Sequence, residues 1–251
     1  MPRLAAPKLL LLFGIALTIY ASVAFERIGM HSTDNHFVYQ ADAWLKGSLE
    51  LVRRPHHQND WASYETISLK GKSLAQHGEK VQGFYVHQSK KPHHFRTLSR
   101  KDIELPKRDI VDRKKHYFVS FPPGPAVLML PFVSLFGYGT NDVLFTLMFA
   151  AFNCVLVFCL LALLARRSHS ERTTKDHIWL AVFFGFSSCH FWLAVQGRVW
   201  FTALIIGATF HLLFLYFAIG VRRPFLAGLC LAMGFASRAT LVFAALFFLF
   251  E

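Results

Sequence analysis

Residues 118–137 read FVSFPPGPAVLMLPFVSLFG, and whether they cross a membrane decides the topology of everything around them. They are apolar enough to do so. Against a crossing, Pro122, Pro123 and Pro125 remove backbone donors and Gly124 loosens the chain, all within the first third. Too little continuous helix is left for a hydrocarbon core of about 30 Å. The stretch is expected as a short helix over about 122–136, lying on or dipping into the outer leaflet. The alternative is a Pro-kinked span.

The charges outside this stretch favour the short helix. Apolar blocks occupy 8–25, 143–165, 178–195, 199–219 and 224–250, each near or above the roughly 18 to 20 residues that a helical crossing needs. Arg3 and Lys8 precede the first block, Arg166, Arg167, Arg172 and Lys175 follow the second, and Arg222 with Arg223 follows the fourth. Basic residues beside spans mark the cytoplasmic side, and all three groups share that side only if 118–137 does not cross. The N-terminus is then cytoplasmic and loop 26–141 extracytoplasmic. The first block is longer than the apolar part of a signal peptide, so it is read as a retained span.

Of the 251 residues 54% are hydrophobic, more than the roughly 45–50% of soluble domains. The formal charge of +12 is accounted for by the flanks of the spans, and no nucleic acid partner is expected. All four cysteines, Cys154, Cys159, Cys189 and Cys230, lie in apolar blocks. The long loop therefore has no disulfide and no cysteine-based zinc site, which suits a bacterial inner (plasma) membrane, with an endoplasmic reticulum membrane as the alternative.

The expected fold class is an all-α polytopic membrane protein. Its spans fall at about 143–165, 178–195, 199–219, 224–236 and 240–251, after the first at 8–25. Its loop holds surface helices at about 35–47 and 122–136, and a small β-hairpin from YETISLKGK (64–72) and VQGFYVHQ (81–88), which alternate around Gly-containing turns. The last block is divided because it carries Arg238 near its middle, and an Arg at a bilayer centre costs about 2.5–3.5 kcal/mol on insertion scales. A break at Ser237-Arg238 relieves that. The chain stops inside the second piece and is expected to be the front part of a longer protein.

Chemistry is sought first in STDNHFVYQADAWLKG, 32–47, at the exit of the first span. Phe37, Ala41, Trp44, Leu45 and Ser48 recur at helical spacing and Gly47 ends the run, an amphipathic helix suited to an interface. Asp34 before it has two readings: a cap for the amides of residues 36 and 37, or a general base held at the lip of a cavity. His36 could assist it. One Asp and one His make no metal site, and the adjacent pairs His56-His57 and His93-His94 are poorly disposed to share an ion. The basic run PKRDIVDRKKHY, 106–117, is a solvated face, or binds anionic lipid head groups or an acidic glycan.

The order of these features resembles the GT-C membrane glycosyltransferases, above all the family 39-like enzymes related to protein O-mannosyltransferases and aminoarabinose transferases. The shared features are an outward first span, an acidic motif followed by a surface helix running loosely from Tyr39 to Gly47, a PPG-type surface helix, an inward span ending in Arg166-Arg167, and the ASRAT turn at 236–240. The resemblance covers nearly the whole chain as the N-terminal half of such an enzyme. It implies a GT-C-like helical bundle that moves a sugar from a polyprenyl-phosphate donor to a glycan, lipid or protein acceptor on the outer face. Asp34 would be the catalytic base and Arg238 the donor-phosphate contact, with His36, Arg198 and Trp200 in the substrate site. A guanidinium suits a phosphate on physical grounds as well, since it gives two charge-assisted bonds. Trp200 reads equally as a sugar platform or an interface anchor. Asn stands at 35, where the family often has a second acid, and the second outer loop reads QGRVW without one. No cofactor is certain, and a requirement for a divalent metal stays open. The competing reading is a non-catalytic transporter half or lipid-glycan binding subunit.

Overall fold

The computed structural model describes residues 6–57, 59–86 and 94–250. The chain divides into two compact units, one made of residues 1–42 with 121–251 and the other of residues 43–120. In chain order the elements begin with α1 (Ala6–Val23), α2 (Phe25–Ile28) and α3 (His36–Leu45). The second unit contributes β1 (Trp61–Leu69), α4 (Gly71–His77), β2 (Lys80–Tyr85), β3 (His94–Thr97), β4 (Asp102–Glu104) and β5 (Ile110–Val119). The chain then returns through α5 (Gly124–Phe136), α6 (Asp142–Arg166), α7 (Thr174–Phe186), α8 (Cys189–Gln196), α9 (Val199–Ala218) and α10 (Pro224–Ser237), and a 3-10 helix runs Ala239–Leu249.

The all-α expectation is corrected in the second unit. The hairpin is part of a five-stranded antiparallel sheet ordered β4-β3-β2-β1-β5. Strand alternation explains it: Ile67, Leu69, Val81 and Phe95 fall on one face and, with Leu105, make a buried core. Gly83 is required in this face, because a Cβ there would lie 2.0 Å from the Arg96 carbonyl oxygen and 2.7 Å from the Phe95 ring. The basic run 106–117 hides β5, whose charges alternate between faces and mask its strand character. His87, Gln88 and His93 lie outside the described residues.

In the helical unit, α1, α6 and the stretch Val199–Val221 are long and apolar enough to cross a membrane, as in a membrane protein. The expected span 178–195 is met by two helices, α7 and α8, which together are long and apolar enough to cross but are bent by 55°. The cause lies at Ser188, whose hydroxyl donates to the Phe184 carbonyl at 2.6 Å and accepts from the His190 amide at 3.1 Å, ending one helix and capping the next. The Tyr20 hydroxyl donates to the Gly185 carbonyl at 2.9 Å, just before the break. Helix α10 has 14 residues, about 21 Å at 1.5 Å per residue, and the 3-10 helix after it has 11. Neither piece is long enough to cross alone. Helix α5 has 13 residues, and Asn141 caps α6 by accepting from the Leu144 amide.

A seam of buried polar groups ties these helices together. His190 Nδ1 stands 3.2 Å from the Tyr20 hydroxyl and its Nε2 3.3 Å from Asn153 Nδ2. The Thr209 hydroxyl donates to Asn153 Oδ1 at 2.6 Å. In an apolar bundle such bonds fix which helix faces meet, because an unmatched polar group there is costly.

Candidate functional site

Asp34 lies two residues before α3 and is buried. Its carbonyl accepts the Val199 amide at 3.2 Å, which anchors the segment to the first turn of α9. Its carboxylate Oδ2 is 3.5 Å from Nε of Arg198, the N-cap residue of α9. The side chain of Asp34 is 6% exposed and that of Arg198 51%, so the carboxylate is enclosed while the guanidinium still reaches solvent. A carboxylate at a helix N-terminus also meets the positive end of the helix dipole.

Helix α3, expected as an amphipathic helix at the membrane surface, is buried within the protein over most of its length. From His36 to Ala43 only Gln40 is less than buried, and aromatic side chains that flank α5 in the chain meet the helix at two points. At one end, His36 sets its ring edge on Phe121 with centroids 5.3 Å apart, and Phe37 lies 6.2 Å from the same ring. At the other, Tyr39 packs on Tyr138 at 4.8 Å and the Tyr138 hydroxyl donates to Asp42.

Phe121 also meets Trp200, 6.3 Å away and edge-on. The Trp200 carbonyl accepts from an Arg238 terminal nitrogen at 2.7 Å. The five candidates fall into two contact groups that meet the first turn of α9: Asp34 with Arg198, and His36 through Phe121 with Trp200 and Arg238. Arg238 occupies the break after α10, in extended backbone at φ −149°, ψ 114°. Its Nε is buried and has no hydrogen-bond partner among the described residues. The break is shaped by Gly124, where a Cβ would lie 2.5 Å from the Ser237 hydroxyl.

Arg238 is one wall of a cavity of about 340 Å³, lined otherwise mainly by apolar side chains that include Phe184, Leu193, Leu204 and Leu241, with His211 and Thr240. A cation at the edge of an apolar sleeve is chemically matched to an anionic head with a hydrocarbon chain. The Asp34 carboxylate faces a guanidinium, and among the described residues no three His, Cys, Asp or Glu side chains gather as metal ligands.

Two participants escape a sequence reading. Asp142, in the first turn of α6, is buried and accepts from the Ser32 amide at 2.7 Å and the Ser32 hydroxyl at 2.5 Å, which holds the chain just ahead of Asp34. Asn141-Asp142 before an apolar run is a helix-start signal, but nothing in the sequence points it at Ser32. Phe121, the hub of the aromatic contacts, stands beside a proline cluster and gives no signal of its own. No family model matches the chain, and no curated protein or solved structure matches it either.

Proposed function

We propose that this chain is a GT-C-type multi-pass membrane glycosyltransferase acting on a polyprenyl-phosphate sugar donor. The observation that carries the reading is the pair of contacts at the first turn of α9, Asp34 with Arg198 and Arg238 with the Trp200 carbonyl, with Arg238 at the wall of an apolar cavity. In the reaction, the Asp34 carboxylate takes the proton of an acceptor hydroxyl as that oxygen bonds to the anomeric carbon. The bond from that carbon to the donor phosphate breaks, and polyprenyl phosphate leaves with the electron pair. Arg238 and Arg198 meet its charge, and Trp200 flanks the sugar.

The topology that goes with this function is supported by the lengths of the helices. With α5 too short to cross, α1 runs outward, α6 inward, the α7–α8 pair outward and α9 inward. Arg166, Arg167, Arg172 and Lys175, and later Arg222 and Arg223, then face the cytoplasm. The second unit faces outward, in a bacterial plasma membrane.

The test is transfer in proteoliposomes from undecaprenyl-phosphate hexoses and pentoses, with a membrane lipid extract as acceptor source. Asp34→Asn is expected to lower transfer by about 10²–10⁴-fold, the range of a lost general base, with undecaprenyl phosphate binding retained. Full transfer by that variant sinks the reading. The ion pair between Asp34 and Arg198 favours a second one, a non-catalytic lipid-glycan binding subunit or transporter half. In that case wild-type protein binds undecaprenyl phosphate and transfers nothing.

A further inference from the structure

The sheet unit carries a second cavity, about 770 Å³, whose lining includes Trp61, Glu65, Tyr85, Lys107, Arg113 and Lys115. Register sets much of its floor. Glu65 of β1 lies opposite Lys115 of β5 and Gly83 of β2, and Ile67 lies opposite Arg113. Cross-strand partners share a face, so Glu65, Lys115 and Arg113 emerge on the same side of the sheet. Arg113 is held in place: its terminal nitrogen donates to the Tyr85 hydroxyl at 3.0 Å, and its guanidinium carbon lies 4.9 Å from the centre of that ring. Lys115 Nζ lies 5.1 Å from the centre of the Tyr117 ring.

Three cations against one carboxylate call for an anion. Glu65 narrows the choice, because its side chain lines the same cavity. A bare phosphate or a polyphosphate would leave that carboxylate unmatched and repelled. A ligand with hydroxyl groups as well as negative charge matches it, one hydroxyl donating to the Glu65 carboxylate while the acid groups meet Arg113, Lys107 and Lys115. Trp61 offers an aromatic face to the C–H side of a sugar ring, and the volume is in the range of small-ligand sites, about 300–1,000 Å³.

We infer that the sheet unit binds an acidic saccharide at this cavity, through Arg113, Lys115, Lys107 and Glu65. The inference concerns binding alone and stands apart from sugar transfer, so the two fail separately.

The experiment is calorimetric titration of the full chain in nanodiscs of neutral lipid with trigalacturonate, maltotriose or inorganic phosphate. Trigalacturonate is expected to bind with salt-sensitive affinity and maltotriose not to bind. Arg113→Gln with Lys115→Gln should weaken binding by about tenfold or more, the scale of one or two lost charge-assisted bonds. Both side chains are exposed, so folding is expected to survive, and an unchanged thermal transition checks it. Glu65→Gln should also weaken trigalacturonate, and it separates a saccharide from a plain anion, for which removing the carboxylate would help. Equal binding of maltotriose, phosphate binding as tight as trigalacturonate, tighter binding by Glu65→Gln, or no binding at millimolar concentration overturns the inference. So does protein that ignores trigalacturonate but is captured by phosphatidylglycerol vesicles, which would mark a lipid-facing surface.

Discussion

Arg198 Nε stands 3.5 Å from Asp34 Oδ2, and the next residue in the chain donates its amide to the Asp34 carbonyl. One residue pair thus ties the exit of the first helix to the start of α9, fixing a carboxylate beside a guanidinium that is still half exposed. The pair orients the enclosed carboxylate and leaves the guanidinium accessible to a ligand.

Arg198→Ala is therefore expected to lower kcat/KM for sugar transfer by about ten- to a hundredfold, the effect of losing a charge-assisted contact. Arg198→Lys should recover only part, because an ammonium keeps the charge and loses the planar fork. Steady-state transfer in proteoliposomes reads both. Wild-type kinetics from the alanine variant would show that the guanidinium serves the fold alone.

Asp142 offers a test that needs no substrate. Its two oxygens each accept from Ser32, one from the amide and one from the hydroxyl. Asp142→Ala leaves both donors without their acceptor and is expected to cost about 2–3 kcal/mol. A thermal scan of the full chain in detergent should show a lower transition. Asp142→Asn should be milder, since one oxygen remains and the Ser32 hydroxyl can turn to accept. An alanine variant with the wild-type transition would mean that Ser32 finds another partner.

How far the sequence spoke for this structure depends on the range of the signal. The short helix at 124–136 was legible because proline and glycine act locally, and so was the break at Ser237-Arg238, where a charge interrupts an apolar run. The sheet was mostly illegible. In β5 the alternation of Arg113 and Lys115 with Asp112, Lys114 and His116 reads as undivided charge until β1 pairs with it. The bend at Ser188 was missed because its serines sit inside a run apolar enough to pass as one span. Of the candidate site, the residues were named in part from the family resemblance, and the contacts among them run through Phe121 and through backbone carbonyls, which carry no sequence signature.

Acid should open the junction between α4 and the 3-10 turn at Lys107–Asp109. The Ser73 hydroxyl, at 2.7 Å, and the Ser73 amide, at 3.2 Å, hold the Asp109 carboxyl below its ordinary range. A carboxyl whose folded pKa is lowered stabilises the fold above its unfolded value and loses that contribution as pH falls through the folded one. Hydrogen exchange of residues 70–74, corrected for intrinsic rates, should rise as pH falls below about 4, the ordinary carboxylate range. Asp109→Asn should remove the pH step. A step of equal size in that variant would assign it to another group.

The last prediction joins packing to binding. Gly124 opens α5 against the end of α10, and a Cβ there would stand 2.5 Å from the Ser237 hydroxyl and 2.9 Å from the Ala236 carbonyl oxygen. Gly124→Ala must push back the chain that carries Arg238, the next residue after Ser237. It is expected to cost about 1–3 kcal/mol, as overpacking does, and to weaken undecaprenyl phosphate binding by moving the guanidinium from the Trp200 carbonyl. Ser237→Ala removes the nearer obstacle, so the double variant should recover part of both losses. Because the two positions touch, their effects should fail to add by about 0.5–3 kcal/mol. Thermal scans and undecaprenyl phosphate titration of the four proteins complete the cycle. Strict additivity would show that the two residues do not press on one another, and unchanged binding by Gly124→Ala would separate the break from the phosphate contact.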